Sequence, residues 1–240
     1  MTKSRKRSPG AVDKNGQLPD TRAILAWFRT NRRDFPWRRN LRFRYRYRQI
    51  VSEVLLRRTR AATVASIYHE FFCQRFPTWK ALAAATQSDL ENLLFALGMW
   101  RERARTLPLL AQAVVDMNYR FPEERSELEN LPGVGLYVAS AILLFRHGNA
   151  EPLLDRNMAR VLCRFHGLTQ PVDLRRESEL FNLATRLVSS VDTPLELNWA
   201  LLDLGAMVCK PRPAKPACNN CPLIQHCRFA KTNRSFPRVL

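Results

Sequence analysis

The chain alternates stretches with apolar residues at helical spacing and short polar or glycine-containing breaks. Apolar side chains that recur every three to four residues form one face of a helix. This spacing predicts helices from Thr21 to near Arg33, over 48–57, 60–75, 78–84, 88–97, 101–117, 124–130, 136–147 and 156–165, and from Pro194 to the first clustered cysteine. Because no stretch makes a convincing strand and no segment repeats, the fold class is all-α.

Several helix ends carry recognisable capping residues. Ser88 stands three residues before Glu91, which is the spacing of a capping box, and Gly98 follows the last apolar position of that helix. Thr193 precedes Pro194, a cap followed by a first-turn proline. These residues predict where the helices start and stop.

The N-terminal part of the chain is strongly basic. Residues 1–19 are polar and lack periodicity, which predicts a basic disordered tail. From Arg42 to Arg48, arginine alternates with aromatic residues. This alternation would suit a strand, but no partner strand is evident, so we expect an extended connector whose arginines, Arg48 included, face DNA. A solvated basic loop is the alternative.

The charge balance indicates the class of partner. The net charge is +18 at pH 7, which points to a polyanion, with nucleic acid as the first candidate. No run approaches the roughly eighteen apolar residues of a membrane span, and the N-terminus lacks an apolar signal segment. We therefore expect no membrane association and a cytoplasmic, nucleoid-associated location.

Four of the six cysteines are clustered near the C-terminus with the spacing C-x8-C-x2-C-x5-C: Cys209, Cys218, Cys221 and Cys227. A disulfide framework would be unusual in a chain of this size without a secretion signal, so the cluster indicates a metal or iron–sulfur site. Thiolates suit zinc and iron–sulfur clusters alike. The intervening loop is basic and rich in proline, and we expect Lys210 and Arg212 to approach a backbone phosphate.

A helix, a glycine turn and a second helix are predicted between residues 124 and 145. The turn contains Gly133, Val134 and Gly135. Without side chains, the two glycines allow backbone N–H groups to approach an anion such as a DNA phosphate at the start of the second helix. By itself the turn fits a purely structural helical hairpin equally well.

Asp155 follows the apolar pair Leu153–Leu154 and stands at the predicted start of a helix. An aspartate at this position is an ordinary N-cap, worth about 1 kcal/mol. Its place relative to the glycine turn and the cysteines also makes it a candidate catalytic carboxylate.

Taken together, these motifs resemble the helix-hairpin-helix DNA glycosylases of the endonuclease III and adenine glycosylase superfamily, over residues 22–228. The resemblance is carried by the following segments: Phe35–Arg38, Ser52–Thr59, Leu97–Trp100, Leu131–Tyr137, Leu154–Asp155, Asp203–Met207 and the four cysteines. It implies a two-domain fold with a DNA cleft between the domains. Residues 46–149 would form a six-helix barrel domain with the hairpin, and residues 20–45 with 150–240 an iron–sulfur cluster domain.

The resemblance assigns roles to two residues. Asp155 matches the family's catalytic carboxylate. Tyr137 stands where members that also cleave the strand carry the lysine that forms a Schiff base, chemistry that requires an amine. Tyrosine therefore implies a monofunctional enzyme, and it is typical of the branch that removes thymine from G·T mismatches. The alternative is an aromatic pocket wall without a role in base choice.

Three further residues lie in the segment that faces the flipped base in the family. Glu53 could donate a proton to the leaving base, or it could form an ion pair with Arg57 one helical turn later. Arg57 and Arg58 resemble the Arg-Lys pair of the mismatch-thymine branch. We expect one of them, preferably Arg58, to fill the gap left by the flipped base or to contact the orphan guanine.

The resemblance also implies a cofactor. The family binds a four-iron, four-sulfur cluster through cysteines spaced C-x6-C-x2-C-x5-C, so this chain has two more residues in the first spacing. A 4Fe-4S cluster is therefore expected at the four cysteines.

The leading hypothesis is a monomeric glycosylase that binds double-stranded DNA and removes thymine, and uracil, mispaired with guanine. The alternative is removal of adenine opposite guanine or oxidised guanine. Tyr137 argues against it, as does the end of the chain at Leu240, which leaves no room for the further domain of adenine glycosylases. A catalytically silent DNA-binding protein with a structural cluster is a different class, against which Asp155 argues.

Overall fold

The computed structural model describes residues 17–39, 46–174 and 177–232, and the regular elements of these ranges are helical. The α-helices are α1 (Thr21–Asn31), α2 (Arg46–Leu56), α3 (Ala61–His69), α4 (Trp79–Ala83), α5 (Gln87–Leu94), α6 (Trp100–Asp116), α7 (Arg125–Glu129), α8 (Leu136–Ile142), α9 (Arg156–His166), α10 (Ser178–Val188), α11 (Pro194–Met207) and α12 (Arg228–Thr232). This confirms the all-α class. None of these helices is long and apolar enough to cross a membrane.

Two of the helices were not predicted from the sequence. Helix α10 buries Leu180, Leu183, Ala184 and Leu187, which recur at helical spacing, so its signal was present. Helix α12 has only five residues and buries none of them, so it carries no apolar face to detect. Helix α3 continues in a π-helical turn over Glu70–Arg75, which accounts for the longer predicted helix.

The predicted extended connector was wrong at its C-terminal end, because α2 begins at Arg46. Tyr47 is buried and its hydroxyl donates to the carbonyl oxygen of Phe76 at 2.6 Å. This aromatic residue therefore belongs to the core. The remainder of the connector, residues 40–45, and residues 1–16 of the predicted tail lie outside the described residues.

The predicted cap of α5 was also wrong. The N-cap is Thr86, whose hydroxyl accepts from the backbone N–H of Asp89 at 3.1 Å, so Ser88 lies inside the first turn. Gly98 does follow the end of this segment, with a φ of 69° that favours glycine. Thr193 precedes α11, but its side chain makes no capping hydrogen bond.

The chain divides into two compact units. We name Met1–Arg33 with Ala150–Leu240 the cysteine unit, and Asp34–Asn149 the hairpin unit. The sequence analysis had placed residues 34–45 with the cysteines. In the structure, the 3-10 turn Pro36–Arg38 packs on α2, and the ring centroids of Trp37 and Tyr68 lie 6.1 Å apart, so the described part of this segment, residues 34–39, lies with the hairpin unit.

The core of the hairpin unit is built around α6, which packs against α4 and α5. Helix α2 packs against α3 and α8. Tyr47 makes edge contacts with Phe72 and Trp79, which are buried as well. These contacts fix α2 and α8, the two helices that carry Glu53 and Tyr137.

The core of the cysteine unit is built around α11, which packs against α1 and α9. Asp203 on α11 is fully buried. Its carboxylate accepts two hydrogen bonds from Arg33, one from the backbone N–H at 2.9 Å and one from the side-chain Nε of that arginine at 2.7 Å. A buried carboxylate needs such partners to offset its lost hydration. This pair fixes the end of α1 against α11.

Gly205 allows α11 to lie directly on the start of α9. A Cβ built on Gly205 would lie 2.6 Å from the Cβ of Asn157 and 2.8 Å from its carbonyl oxygen. We expect Gly205→Ala to destabilise the fold by about 2 kcal/mol, since overpacking against backbone outweighs the better helix propensity of alanine. Chemical denaturation measures this loss. An unchanged denaturation midpoint would show that α9 and α11 can move apart to admit the methyl group without loss of stability.

Candidate active site

The segment that leads to Asp155 is fixed by a buried amide. Asn198 on α11 is fully buried, accepts from the backbone N–H of Leu153 at 2.6 Å and donates to the carbonyl oxygen of Glu151 at 3.0 Å. Leu153 and Leu154 are buried beside it. The chain therefore enters α9 at a defined position, with Asp155 as the last residue before the helix.

Asp155 caps α9, and both of its carboxylate oxygens are held. Oδ1 accepts from the backbone N–H groups of Asn157 at 2.7 Å and Met158 at 2.8 Å. Oδ2 accepts from the side-chain amide of Asn157 at 2.6 Å. A cap requires only the first oxygen. The additional amide bond fixes the orientation of the whole carboxylate, which exceeds what a cap needs.

The surroundings of Asp155 favour its neutral form more than water does. Burial raises the pKa of the Asp155 carboxyl above its ordinary value, while the hydrogen bonds from Met158 and Asn157 and the charge of Arg160 act in the opposite direction. Ionisable groups with shifted pKa values are common at functional sites.

Arg160, which the sequence analysis did not identify, connects this carboxylate to the cysteine cluster. It is 5% exposed, and its Nη2 donates to the side-chain oxygen of Asn157 at 2.8 Å and to the carbonyl of Gly205 at 2.7 Å. Its Nε donates to the carbonyl oxygen of Cys209 at 2.6 Å. A continuous chain of hydrogen bonds therefore runs from Asp155 to the first cysteine.

The four clustered cysteines line one cavity, together with apolar residues such as Val161, Leu204 and Leu223. None of them forms a disulfide. Burial raises the pKa of the Cys218 thiol to about 11 and that of Cys221 to about 12. In the described ranges, no three His, Cys, Asp or Glu side chains converge closely enough to hold a single metal ion.

The surroundings of the cysteines are basic. Arg164 lies at the cavity, and its Nη1 donates to the sulfur of Cys209 at 3.3 Å and to the carbonyl oxygen of Lys210 at 2.9 Å. A donor aimed at sulfur is suited to a thiolate. Lys210 and Arg212 are exposed on the following loop, as a phosphate contact would require.

In the hairpin unit, the structure brings together two of the predicted site residues. The hydroxyl of Tyr137 on α8 donates to a carboxylate oxygen of Glu53 on α2 at 2.8 Å, and Glu53 is 2% exposed. Gln49 and Ser52 lie within one turn of Glu53 and are buried too. The Nε2 of Gln49 and the Oγ of Ser52 lack a hydrogen-bond partner among the described residues. This part of α2 is a polar stretch inside an otherwise apolar core.

The glycine turn joins α7 and α8 as predicted, and its residues differ in their surroundings. Gly133 has a φ of +72°, which favours glycine, whereas Gly135 is the N-cap of α8 with open space where a Cβ would lie. The side chain of Val134 is buried, so only its backbone is available to a ligand. The open side of Gly135 is where a bulky anion could approach the backbone.

The two arginines after α2 have different environments. Nη1 of Arg57 donates to the carbonyl oxygen of Gly133 at 2.9 Å, so this side chain supports the glycine turn. Arg58 is exposed and adopts a φ of 57°. This left-handed conformation costs a residue other than glycine about 1 kcal/mol. Arg48 is half-buried on α2, so the predicted DNA contact would involve only part of its side chain.

Comparison with known proteins gives these arrangements a family context. The family model of HhH-GPD superfamily base excision DNA repair proteins matches residues 51–183. A thymine-DNA glycosylase from Aeropyrum pernix is 36% identical over 213 residues, covering 87% of this chain and 92% of that protein. The human adenine DNA glycosylase is 34% identical over 213 residues, covering 86% of this chain but only 38% of that protein.

A solved structure shows the same relationship. The structure of a thermostable thymine-DNA glycosylase superposes with a TM-score of 0.77 at 31% identity, covering 88% of this chain and 94% of that one. The match extends over both the hairpin and the cysteine units, not only over the hairpin motif. The chain belongs to the HhH-GPD superfamily of base excision DNA repair proteins.

Proposed function

We propose that the protein is a DNA glycosylase that flips thymine, or uracil, mispaired with guanine out of the duplex and hydrolyses its glycosidic bond. The observation that carries this proposal is the carboxylate of Asp155, held on both oxygens, in a chain that shares 36% identity with a thymine-DNA glycosylase. Flipping costs a few kcal/mol and least for a mismatched base, which contributes to selectivity.

Asp155 is proposed to be the catalytic residue. Cleavage of the glycosidic bond develops positive charge on the sugar, and an ionised carboxylate stabilises this charge where it forms. A carboxylate that is already oriented needs no rearrangement at the moment of reaction. The hydrogen bonds from Asn157 and Met158 supply this orientation.

Tyr137 determines how far the reaction proceeds in this proposal. A phenol cannot form the Schiff base that leads to strand cleavage, so the product is an abasic site in an intact strand. Its hydroxyl orients the buried carboxyl group of Glu53 instead. Glu53 is proposed to deliver the proton that the departing base requires.

The basic surface is proposed to bind the DNA backbone. The backbone at Gly133, Val134 and Gly135 and the exposed cations of Lys210 and Arg212 contact phosphates, which positions the enzyme without reading sequence. Arg58 enters the gap left by the flipped base and faces the orphan guanine, whose acceptors suit a guanidinium. The protein is proposed to act as a monomer.

Duplexes with different mismatches test this function. The protein is incubated with labelled duplexes that contain G·T, G·U, A·G and oxidised-G·A pairs, with and without subsequent alkali. We expect breaks only after alkali and only from the G·T and G·U duplexes. Breaks confined to the adenine-containing duplexes would show an adenine glycosylase, and breaks without alkali would contradict the monofunctional mechanism. Duplex binding without cleavage of any substrate would show a silent DNA-binding protein.

A 4Fe-4S cluster is proposed as the cofactor. Four cysteines without disulfides line one apolar cavity, and a guanidinium points at the sulfur of Cys209, a donor set that fits a thiolate-bound cluster. Cys209, Cys218, Cys221 and Cys227 would hold the cluster, which would link the end of α11 to the segment 218–227 over the side chains of α9 that line the cavity. Iron and sulfide analysis of the purified protein, with its visible absorption, tests this. A colourless protein that contains one zinc ion would contradict it.

The hydrogen bond between Tyr137 and Glu53 predicts the effect of a small substitution. Tyr137→Phe removes only the hydroxyl and leaves a buried carboxyl group with one donor less, so we expect excision to slow by about tenfold. Single-turnover excision from a G·T duplex measures this. Tyr47→Phe is the matched control, since it removes a buried hydroxyl that contacts the carbonyl of Phe76 instead. A Tyr137→Phe variant with the wild-type rate would show that the hydroxyl has no role in the reaction.

A further inference from the structure

A buried arginine of the hairpin unit is not used by the chemistry described above. Arg103 lies in the first turns of α6 and is 4% exposed. A buried guanidinium is expensive to desolvate unless its donors are satisfied. The groups that accept hydrogen bonds from Arg103 therefore show what this buried guanidinium holds in place.

The donors of Arg103 reach two separate loops. Nη1 donates to the carbonyl oxygens of Leu97 at 3.1 Å and Gly98 at 2.8 Å. Nη2 donates to the carbonyl oxygen of Arg57 and to the hydroxyl of Thr59 at 2.8 Å. That hydroxyl in turn donates to the carbonyl of Leu97 at 2.8 Å. The guanidinium thereby joins the loop after α2 to the loop before α6.

Each of these loops contains a residue in a left-handed conformation that is not glycine. Arg58 has a φ of 57° and Met99 a φ of 49°. L side chains rarely adopt such conformations, and they persist where the surrounding structure holds them. Nη2 of Arg103 contacts Arg57 and Thr59, the residues on either side of Arg58. Nη1 contacts the carbonyls of Leu97 and Gly98, the two residues before Met99.

The same network also reaches the glycine turn. The carbonyl of Arg57 accepts from Arg103, while the guanidinium of Arg57 donates to the carbonyl of Gly133. Two hydrogen bonds therefore link the backbone beside Arg58 to the glycine turn: one from Arg103 to the carbonyl of Arg57, and one from Arg57 to the carbonyl of Gly133. An exposed side chain on a strained backbone that is linked to the glycine turn by these hydrogen bonds is suited to enter a duplex at one defined place.

We propose that Arg103 is a positioning residue for base flipping: it brackets Arg58 and holds its backbone in the conformation from which the side chain enters the duplex. The proposal rests on the wedge role given to Arg58 in the proposed function. Arg103 itself contacts neither DNA nor the reacting bond. Its loss is expected to affect how often the flipped state is reached, more than the cleavage that follows.

A double-mutant cycle tests this proposal. Wild type, Arg103→Lys, Arg58→Ala and the double variant are mixed with a G·T duplex that carries 2-aminopurine beside the thymine, and the fluorescence rise reports flipping. We expect Arg103→Lys to slow flipping by about tenfold in the wild-type background and by less than about twofold when Arg58 is already alanine, because coupled residues act non-additively. Lysine keeps the charge but cannot reach four acceptors on two loops.

Controls separate positioning from general destabilisation. Arg75→Lys makes the same change at an arginine of the hairpin unit that pairs with Asp89 on the surface, and it should leave flipping unchanged. Thermal unfolding is followed for every variant. If Arg103→Lys does not fold, Thr59→Val removes the hydroxyl that links the two loops, and it should show the same coupling to Arg58.

Two results would overturn the proposal. One is an equal slowing of flipping by Arg103→Lys in both backgrounds, which would mean that the residue acts without Arg58. The other is a wild-type flipping rate in Arg58→Ala, which would remove the wedge on which the proposal rests. Because the fluorescence signal requires no bond cleavage, a protein that flips but excises no base would contradict the proposed function and leave the role of Arg103 measurable.

Discussion

The Asp155→Asn variant is expected to excise thymine from a G·T duplex about a hundred to a thousand times more slowly than the wild type, with duplex affinity nearly unchanged. Asparagine has the same shape and is an equally good N-cap, so α9 should remain capped by the backbone N–H groups of Asn157 and Met158. The negative charge beside the developing cation is lost, and so is the hydrogen bond from the side-chain amide of Asn157, because an NH2 group replaces Oδ2. Single-turnover excision and equilibrium binding separate the two effects.

The chain provides a matched control for this substitution. Asp20 caps α1 in the same manner, accepting from the backbone N–H groups of Arg22 at 3.0 Å and Ala23 at 3.1 Å. Asp20→Asn should leave the excision rate unchanged, because this carboxylate has only a structural role. Equal rate losses in both variants would mean that Asp155 acts only as a cap, and the proposed mechanism would be wrong.

The pH dependence of the wild-type excision rate should show the titration of the Asp155 carboxyl group. Asp155 must be ionised to stabilise positive charge, so the rate is full above its pKa and falls as the pH decreases through it. Because burial raises this pKa above the usual value of about 3.9, the loss should begin at a higher pH than an ordinary aspartate would give. The acidic limb should be missing from the residual activity of Asp155→Asn.

The sequence was sufficient to predict the fold class and the glycine turn, because both depend on local signals. Apolar spacing marks the helices, and Gly133 is required by a positive φ that few other residues adopt. The prediction of an extended connector was wrong from Arg46 onward because Tyr47 is an interior residue, and its neighbours in space, Phe72 and Trp79, are distant in sequence. Periodicity alone does not reveal such contacts.

The candidate site residues were proposed from the sequence, but the residues that hold them could not be. Nothing in the local sequence around Arg103 or Arg160 distinguishes these buried arginines from the many other arginines of a chain with a net charge of +18. Their acceptors are mostly backbone carbonyls, those of Arg57, Gly205 and Cys209 in remote segments, and carbonyl positions have no sequence signature. In such a basic protein, burial is the property that separates structural arginines from those available to DNA, and burial requires the fold.

Removing Arg160 is expected to have the second large effect. Arg160→Met fills a similar volume but leaves the side-chain oxygen of Asn157 and the carbonyls of Gly205 and Cys209 without their donor. Unpaired buried acceptors cost about 1–3 kcal/mol each before relaxation, so we expect a loss of about 3 kcal/mol in the free energy of unfolding. Chemical denaturation measures this loss.

The same substitution should also slow the reaction in the protein that remains folded. Without Arg160, the amide of Asn157 is no longer held, and it is this amide that orients the second oxygen of Asp155. A small displacement of a catalytic group can reduce the rate by about a hundredfold. Arg156→Met is the control for stability, since Arg156 lies one turn earlier, is exposed and also donates to backbone carbonyls, those of Pro171 and Val172. A folded Arg160→Met variant with the wild-type rate would show that Asp155 keeps its orientation without this support, and that the chain of hydrogen bonds to Cys209 does not affect the reaction.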